Sequence, residues 1–125
     1  MVQKNIRFAI IIGLLTFLLN ACKKHLNAND LPGLYISNFE DFRDTIVLNP
    51  NHTYLHKSKA KITFDSQKNI WNFDGGKITL ENFDSPSGPP GVWIAEVVFV
   101  KDEIRIVYAE EEGYYYAKIR ANIRR

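Results

Sequence analysis

A single cysteine, Cys22, excludes any disulfide within the chain. Exported proteins use cysteines mostly in pairs, so this lone thiol needs its own explanation. Long apolar runs are scarce too. The longest, Phe8 to Leu19, is interrupted only by Gly13 and Thr16, and it falls short of the ~20 apolar residues that span a bilayer. The patterns of catalysis are missing: there is no nucleophile elbow, no phosphate-cradling glycine loop and no zinc-hydrolase histidine pair. Three histidines, His25, His52 and His56, leave little general-base chemistry. Neither an enzyme nor a cofactor is expected.

What is present at the N-terminus fits export. Lys4 and Arg7 give a positive start without an acid, the apolar run follows, and the chain turns polar after Asn20, Ala21 and Cys22 with Lys23, Lys24 and His25. A positive start, about 7–15 apolar residues and a small residue at the cut make a secretory signal peptide. A buried core helix would show a polar face, and this run has none. Leu19-Asn20-Ala21-Cys22 resembles the lipobox of bacterial lipoproteins. That resemblance implies cleavage between Ala21 and Cys22, a diacylglyceryl group on the Cys22 thiol and acylation of the new amino group. Each buried methylene contributes about 0.8 kcal/mol, so two or three acyl chains hold durably. The expected organisation is a signal peptide over 1–21, a polar tether over 22–30 and one domain over 31–125. The membrane, reached through lipid on Cys22, is an expected partner. Lys23 and Lys24 stand where an aspartate favours inner-membrane retention in lipoproteins, so the resemblance implies the periplasmic face of the outer membrane.

Processing also changes the charge. Of sixteen basic residues, Lys4 and Arg7 leave with the signal, and fourteen remain against fourteen acidic ones. A neutral mature chain lacks the basic patch or stripe that nucleic acid requires. Arg120, Arg124 and Arg125 read as a solvated tail.

After Asp30 no helical period appears, and Ile, Val, Phe, Tyr and Trp suit pleated surfaces. Period-two alternation predicts strands over about 33–38, 43–48, 52–57, 60–65, 69–73, 77–83, 92–100, 103–109 and 114–121. Turn chemistry separates them at Asn49-Pro50-Asn51, Asp65 to Lys68, Asp74-Gly75-Gly76, Lys101-Asp102 and Glu110 to Gly113. Asp84 to Gly91 is the one long loop, its prolines excluding ladder pairing. Val92 to Val100, apolar on both faces except at Glu96, is expected to be the most buried strand. In the last strand Tyr115, Ala117 and Ile119 are expected inward, with Tyr114, Tyr116 and Lys118 outward. The fold class is therefore all-β: an antiparallel meander of eight or nine short strands. Closure removes exposed edges, which favours a small barrel over a sandwich.

Leu31-Pro32-Gly33-Leu34-Tyr35, the Leu48 to Tyr54 strand–turn–strand and Trp71 resemble lipocalin-like domains. The resemblance implies a barrel that holds a small apolar ligand at its mouth, beside the Asp84–Gly91 loop. Candidate lining residues are Trp71, Trp93, Glu96, Tyr108 and Tyr115. The competing expectation is an interaction protein with a filled core that docks on another envelope protein through Tyr114, Tyr116 and Lys118. His52, Tyr54 and His56 recur at alternate positions, yet a closed zinc site needs four ligands, and an exposed polar face is the simpler reading. The acidic groups Glu40, Asp41 and Asp44, and Glu110 to Glu112, lack calcium-loop spacing. No metal is expected.

Overall fold

The structure is a computed structural model that describes residues 25–59, 61–84 and 89–119; the signal segment, Ala21 and Cys22 lie outside the described residues. A 3-10 turn, Ala28–Asp30, precedes nine strands. These are β1 (Gly33–Ser37), β2 (Thr45–Leu48), β3 (Tyr54–Lys57), β4 (Ile62–Thr63), β5 (Trp71–Asp74), β6 (Lys77–Phe83), β7 (Gly91–Val100), β8 (Glu103–Ala109) and β9 (Tyr114–Lys118). All pair antiparallel in one sheet of order β4-β3-β2-β1-β9-β8-β7-β6-β5. This is a meander whose first and last strands pair with each other, Ile36 opposite Ala117. The break in the ladder therefore falls between β4 and β5.

At that break the sheet curls until its two edges meet. Thr53 bridges Ile70, the Tyr54 N–H donates to the Asn69 carbonyl at 3.1 Å, and the Trp71 N–H donates to the His52 carbonyl at 2.8 Å. Asn69, fully buried, completes the seam. Its Nδ2 donates to the carbonyls of Tyr54 (3.3 Å) and Thr63 (3.1 Å), and its Oδ1 accepts from Asn82 Nδ2 at 2.7 Å. The result is an all-β half-barrel consistent with the lipocalin-like layout. Two hairpins owe their tightness to left-handed residues: Gly75 and Gly76 at φ 58° and 79°, Lys101 and Asp102 at 52° and 62°. Such paired positive angles match the twist of the flanking strands.

Alternation along each strand sends one side chain in two to the core. Tyr35, Ile46, Leu48, Tyr54, Trp71, Ile78, Leu80, Val97, Ile104, Ile106 and Tyr116 meet there. Buried Tyr and Trp need partners for their polar tips, and each has one. Tyr35 Oη donates to the Leu31 carbonyl (2.6 Å), Tyr54 Oη to that of Glu81 (2.5 Å), and Trp71 Nε1 to that of Asn49 (2.9 Å). Leu26 and Ala28, within the polar stretch before the domain, also pack against this core.

The facing of several segments departs from expectation. β7 is not the most buried strand: Val92 and Ile94 are 65% and 60% exposed. A single curled sheet has no layer outside it, so apolar residues on the outer face meet solvent. In β9 the expected facing is reversed, with Tyr116 buried and Tyr115 and Ala117 turned outward. Pairing places Tyr116 opposite Ile106 and Ser37, and a bulge between Val107 and Ala109 shifts the register beyond it. A one-residue slip turns every side chain to the other face. Tyr54 and His56 are buried rather than exposed, while His52 sits in the turn at φ 68°. The expected strand over 60–65 shrinks to Ile62–Thr63, and Ile62 and Phe64 are largely exposed.

The strand directions define two poles. Both the Ala28–Asp30 turn and Ile119 lie at one pole, with the turns at 49–53, 75–76 and 101–102. The opposite pole carries the loops 38–44, 58–61 and 110–113 and the β6–β7 connection.

Candidate functional site

Polar groups that folding buries mark the first candidate site. Asp44, just before β2, and His56 on β3 face inward beside Tyr116 of β9 near the opposite pole, and all three are buried. Tyr116 Oη donates to Asp44 Oδ2 at 2.5 Å, and His56 Nε2 lies 2.7 Å from the same oxygen. A carboxylate oxygen accepts, so the Nε2 proton is donated to it. The Asp44 N–H donates to Ser37 Oγ at 2.8 Å. Burial, then the hydrogen bond and charge of Asp44, hold the Tyr116 hydroxyl protonated well above the usual tyrosine range. Asp44 Oδ1 and His56 Nδ1 have no hydrogen-bond partner among the described residues.

Aromatic rings fill the space around this node. His56 stacks on Phe83 at 4.5 Å between centroids and Phe83 on Trp93 at 4.6 Å. Trp93 contacts Tyr108 at 5.6 Å and Tyr116 at 5.9 Å. Phe39 packs against Tyr108, Tyr114 and Tyr116 at 5.1–5.4 Å. Trp93, Tyr108, Tyr114 and Phe39 are only half-buried, so the outermost rings form a partly exposed aromatic shelf over a polar floor. Such ring pairs add about 0.5–1.5 kcal/mol each beyond area burial.

A second candidate lies on the outer face. Cross-strand register aligns Leu55, Val47 and Leu34 across β3, β2 and β1, Ile36 with Ala117 across β1 and β9, and Tyr115 with Val107 across β9 and β8. An open groove runs along this strip, lined by Leu34, Ile36, Tyr115, Ala117 and Ile119, with Arg43 and Lys101 toward its two ends. Arg105 stacks over Tyr115 at 4.2 Å and pairs with Glu103 at 2.6 Å.

The chain matches no family model, no curated protein and no solved structure. Geometry alone therefore sorts the residues singled out from the sequence. It brings Trp93 and Tyr108 together. Trp71 lies near the N-terminal pole, stacked on His52 at 4.5 Å. Glu96 is exposed on the outer face opposite Lys77, and Tyr115 faces outward above the groove. Tyr114 joins Phe39, Tyr116 is 1% exposed, and Lys118 Nζ donates to the Asp30 carbonyl at 2.8 Å. Cys22 lies outside the described residues. No cluster of three or more His, Cys, Asp and Glu ligands occurs among the described residues. Sequence reasoning missed Asp44 and His56 as partners. The signal was there: in the hairpin with Ile46 and Leu48, any register that buries Tyr54 also buries His56.

Proposed function

We propose that this chain is a lipid-anchored lipoprotein of the cell envelope whose β domain is a non-enzymatic interaction module. It docks on another envelope protein through its outer face. The observation that carries this reading is a contrast between the two faces. Inside, the tips of Tyr35, Tyr54 and Trp71 are tied to backbone carbonyls, and His56, Phe83 and Trp93 stack on one another. Outside, apolar side chains pair across neighbouring strands in three short rows, Leu55 with Val47 and Leu34, Ile36 with Ala117, and Tyr115 with Val107. Apolar strips left partly open to solvent mark interaction sites, and the groove along Leu34, Ile36, Ala117 and Ile119 suits an apolar segment. The anchor rests on the lipobox at Cys22, and Lys23 and Lys24 support the periplasmic face of the outer membrane.

A second reading keeps the domain as a carrier of a small apolar ligand. The half-buried shelf of Trp93, Tyr108 and Phe39 favours it, above an Asp44–His56 pair with unused hydrogen-bonding atoms. One experiment separates the two. A photo-reactive residue is placed at Leu34 and, as a control, at the exposed Asn72 of β5, and cross-linked in the host. The first reading predicts one discrete protein adduct from Leu34, none from Asn72, and its loss in the Ala117→Arg variant with the circular dichroism unchanged. No adduct, together with a stoichiometric small molecule in native mass spectrometry, favours the carrier instead.

A further inference from the structure

The node of Asp44, His56 and Tyr116 is short of hydrogen-bond donors. Asp44 Oδ2 accepts twice, from the Tyr116 hydroxyl and from His56 Nε2. A neutral imidazole that donates through one nitrogen presents the other as an acceptor. The two atoms left without a partner among the described residues, Asp44 Oδ1 and His56 Nδ1, are therefore both acceptors. Their residues are only 4% and 2% exposed, and a buried polar group without a partner calls for a reason. Charge is short as well. The one ion-pair partner of Asp44 among the described residues is His56, and a neutral ring leaves the carboxylate uncompensated. A buried charge is costly unless an opposite one meets it.

The surroundings of these atoms are aromatic. Phe83 stacks on the His56 ring at 4.5 Å and Trp93 on Phe83 at 4.6 Å, so the stack leads from the buried node to a half-buried indole. Phe39 and Tyr108 pack on Tyr116 at 5.4 Å and 6.2 Å. Faces of such rings attract cations within about 6 Å, tryptophan most strongly.

Charge above the shelf favours the same sign of ligand. Phe39 and Asp44 share the loop 38–44, and Asn38 ties that loop to the turn 110–113. Its Nδ2 donates to the Gly113 carbonyl at 2.9 Å, and its Oδ1 accepts from the Tyr115 N–H at 2.8 Å. The joined loops carry Glu40, Asp41, Glu110, Glu111 and Glu112, all exposed, against Arg43 alone. The 58–61 loop beside them adds Lys59 and Lys61, and Lys61 is paired with Asp84 at 2.7 Å. An acidic rim of this kind raises the local concentration of cations.

We infer that the aromatic shelf binds a small organic cation, a primary amine with an apolar substituent. Its ammonium group donates to Asp44 Oδ1 and His56 Nδ1, and its substituent lies against Trp93 and Tyr108. An ammonium brings N–H donors and positive charge together, the two things the node lacks, whereas a neutral apolar ligand brings neither. The inference shares the shelf with the carrier reading and narrows its ligand to a cation. It depends neither on the anchor nor on the outer face, so its failure leaves the docking reading standing.

The test titrates the purified, isotope-labelled protein with phenethylamine, with its N-trimethylated derivative and with phenethyl alcohol, followed by nuclear magnetic resonance. Phenethylamine is expected to saturate one site and to move the indole N–H resonance of Trp93, while that of Trp71, near the other pole, stays in place. Asp44→Asn keeps an acceptor for Tyr116 and His56 but removes the charge, and should weaken the amine about ten- to hundredfold. The combined variant Glu110→Gln, Glu111→Gln and Glu112→Gln alters exposed side chains only, so it decides the matter even if Asp44→Asn fails to fold. It should weaken the amine severalfold at low salt, with the difference lost at high salt. No saturation by the amine, as when water satisfies both acceptors, overturns the inference. So does equal binding of the alcohol or of the trimethylated amine, which has no N–H, or an affinity indifferent to the rim substitutions.

Discussion

Three buried tyrosines make the barrel sensitive to alkali in a way that can be worked out from the structure. Burial holds the hydroxyls of Tyr35 and Tyr54 protonated well above the usual tyrosine range, the nearby Glu81 and Asp84 charges adding to the effect at Tyr54. Burial and Asp44 do the same for Tyr116. An unfolded tyrosine releases its proton near pH 10. Below that pH both states carry the proton and these groups leave stability unchanged. Above it the unfolded chain binds fewer protons than the native one, so stability falls as pH rises until the native hydroxyls titrate as well. The slope is up to about 1.4 kcal/mol per pH unit for each tyrosine, or about 4 for three. A single domain stable by about 5–15 kcal/mol then unfolds cooperatively about one to four pH units above 10. The assay follows tyrosinate absorbance and far-ultraviolet circular dichroism in parallel. The three buried tyrosines are expected to ionise in the same step in which the strand signal is lost, and Tyr116→Phe lowers the slope by about a third. If all six tyrosines ionise smoothly near pH 10 while the circular dichroism holds, the reasoning is refuted.

Asn69→Ala removes the side chain that joins Tyr54, Thr63 and Asn82 across the seam. With buried carbonyls left short of a partner it should cost about 1–3 kcal/mol, and each kcal/mol lowers the melting temperature by about 4–8 °C in a domain of this size. A shift within experimental error would show that the Thr53–Ile70 bridge closes the seam unaided. Gly33 sits at φ 148°, where an added Cβ comes 2.7 Å from Lys118 Cε. Gly33→Ala should cost about 1–3 kcal/mol in backbone strain and displace Lys118 from Asp30. Amide exchange at 26–30 is therefore expected to quicken ahead of the core, and uniform protection across the chain would contradict that coupling.

Much of the fold was legible because hairpin chemistry is local. Asp74-Gly75-Gly76 and Lys101-Asp102 announce turns whose geometry depends on two residues, and Ile46, Leu48, Ile78 and Leu80 declare an inward face by alternation. Facing failed where the pattern was apolar on both sides. β7 and β9 carry Val92, Ile94, Tyr115 and Ala117 outside as well as core residues inside, so only register with the neighbouring strands decides, and a bulge sets that register in β9. The seam was not legible either, since Asn69 reads as the first residue of an ordinary strand until β3 and Asn82 of β6 arrive beside it. Of the five lining residues read from the sequence, Trp93 and Tyr108 lie in contact, while Asp44, His56 and Phe83 beside them were not among those residues. Their contacts join residues far apart in the chain, and no local pattern encodes them.

The central claim of the proposed function is the anchor, since it fixes where the outer face acts. The most direct measurement is the intact mass of the protein purified from its own host in mild detergent. The account predicts a chain that begins at Cys22 and carries the mass of two or three acyl chains. A chain that still begins at Met1 and carries no lipid contradicts it.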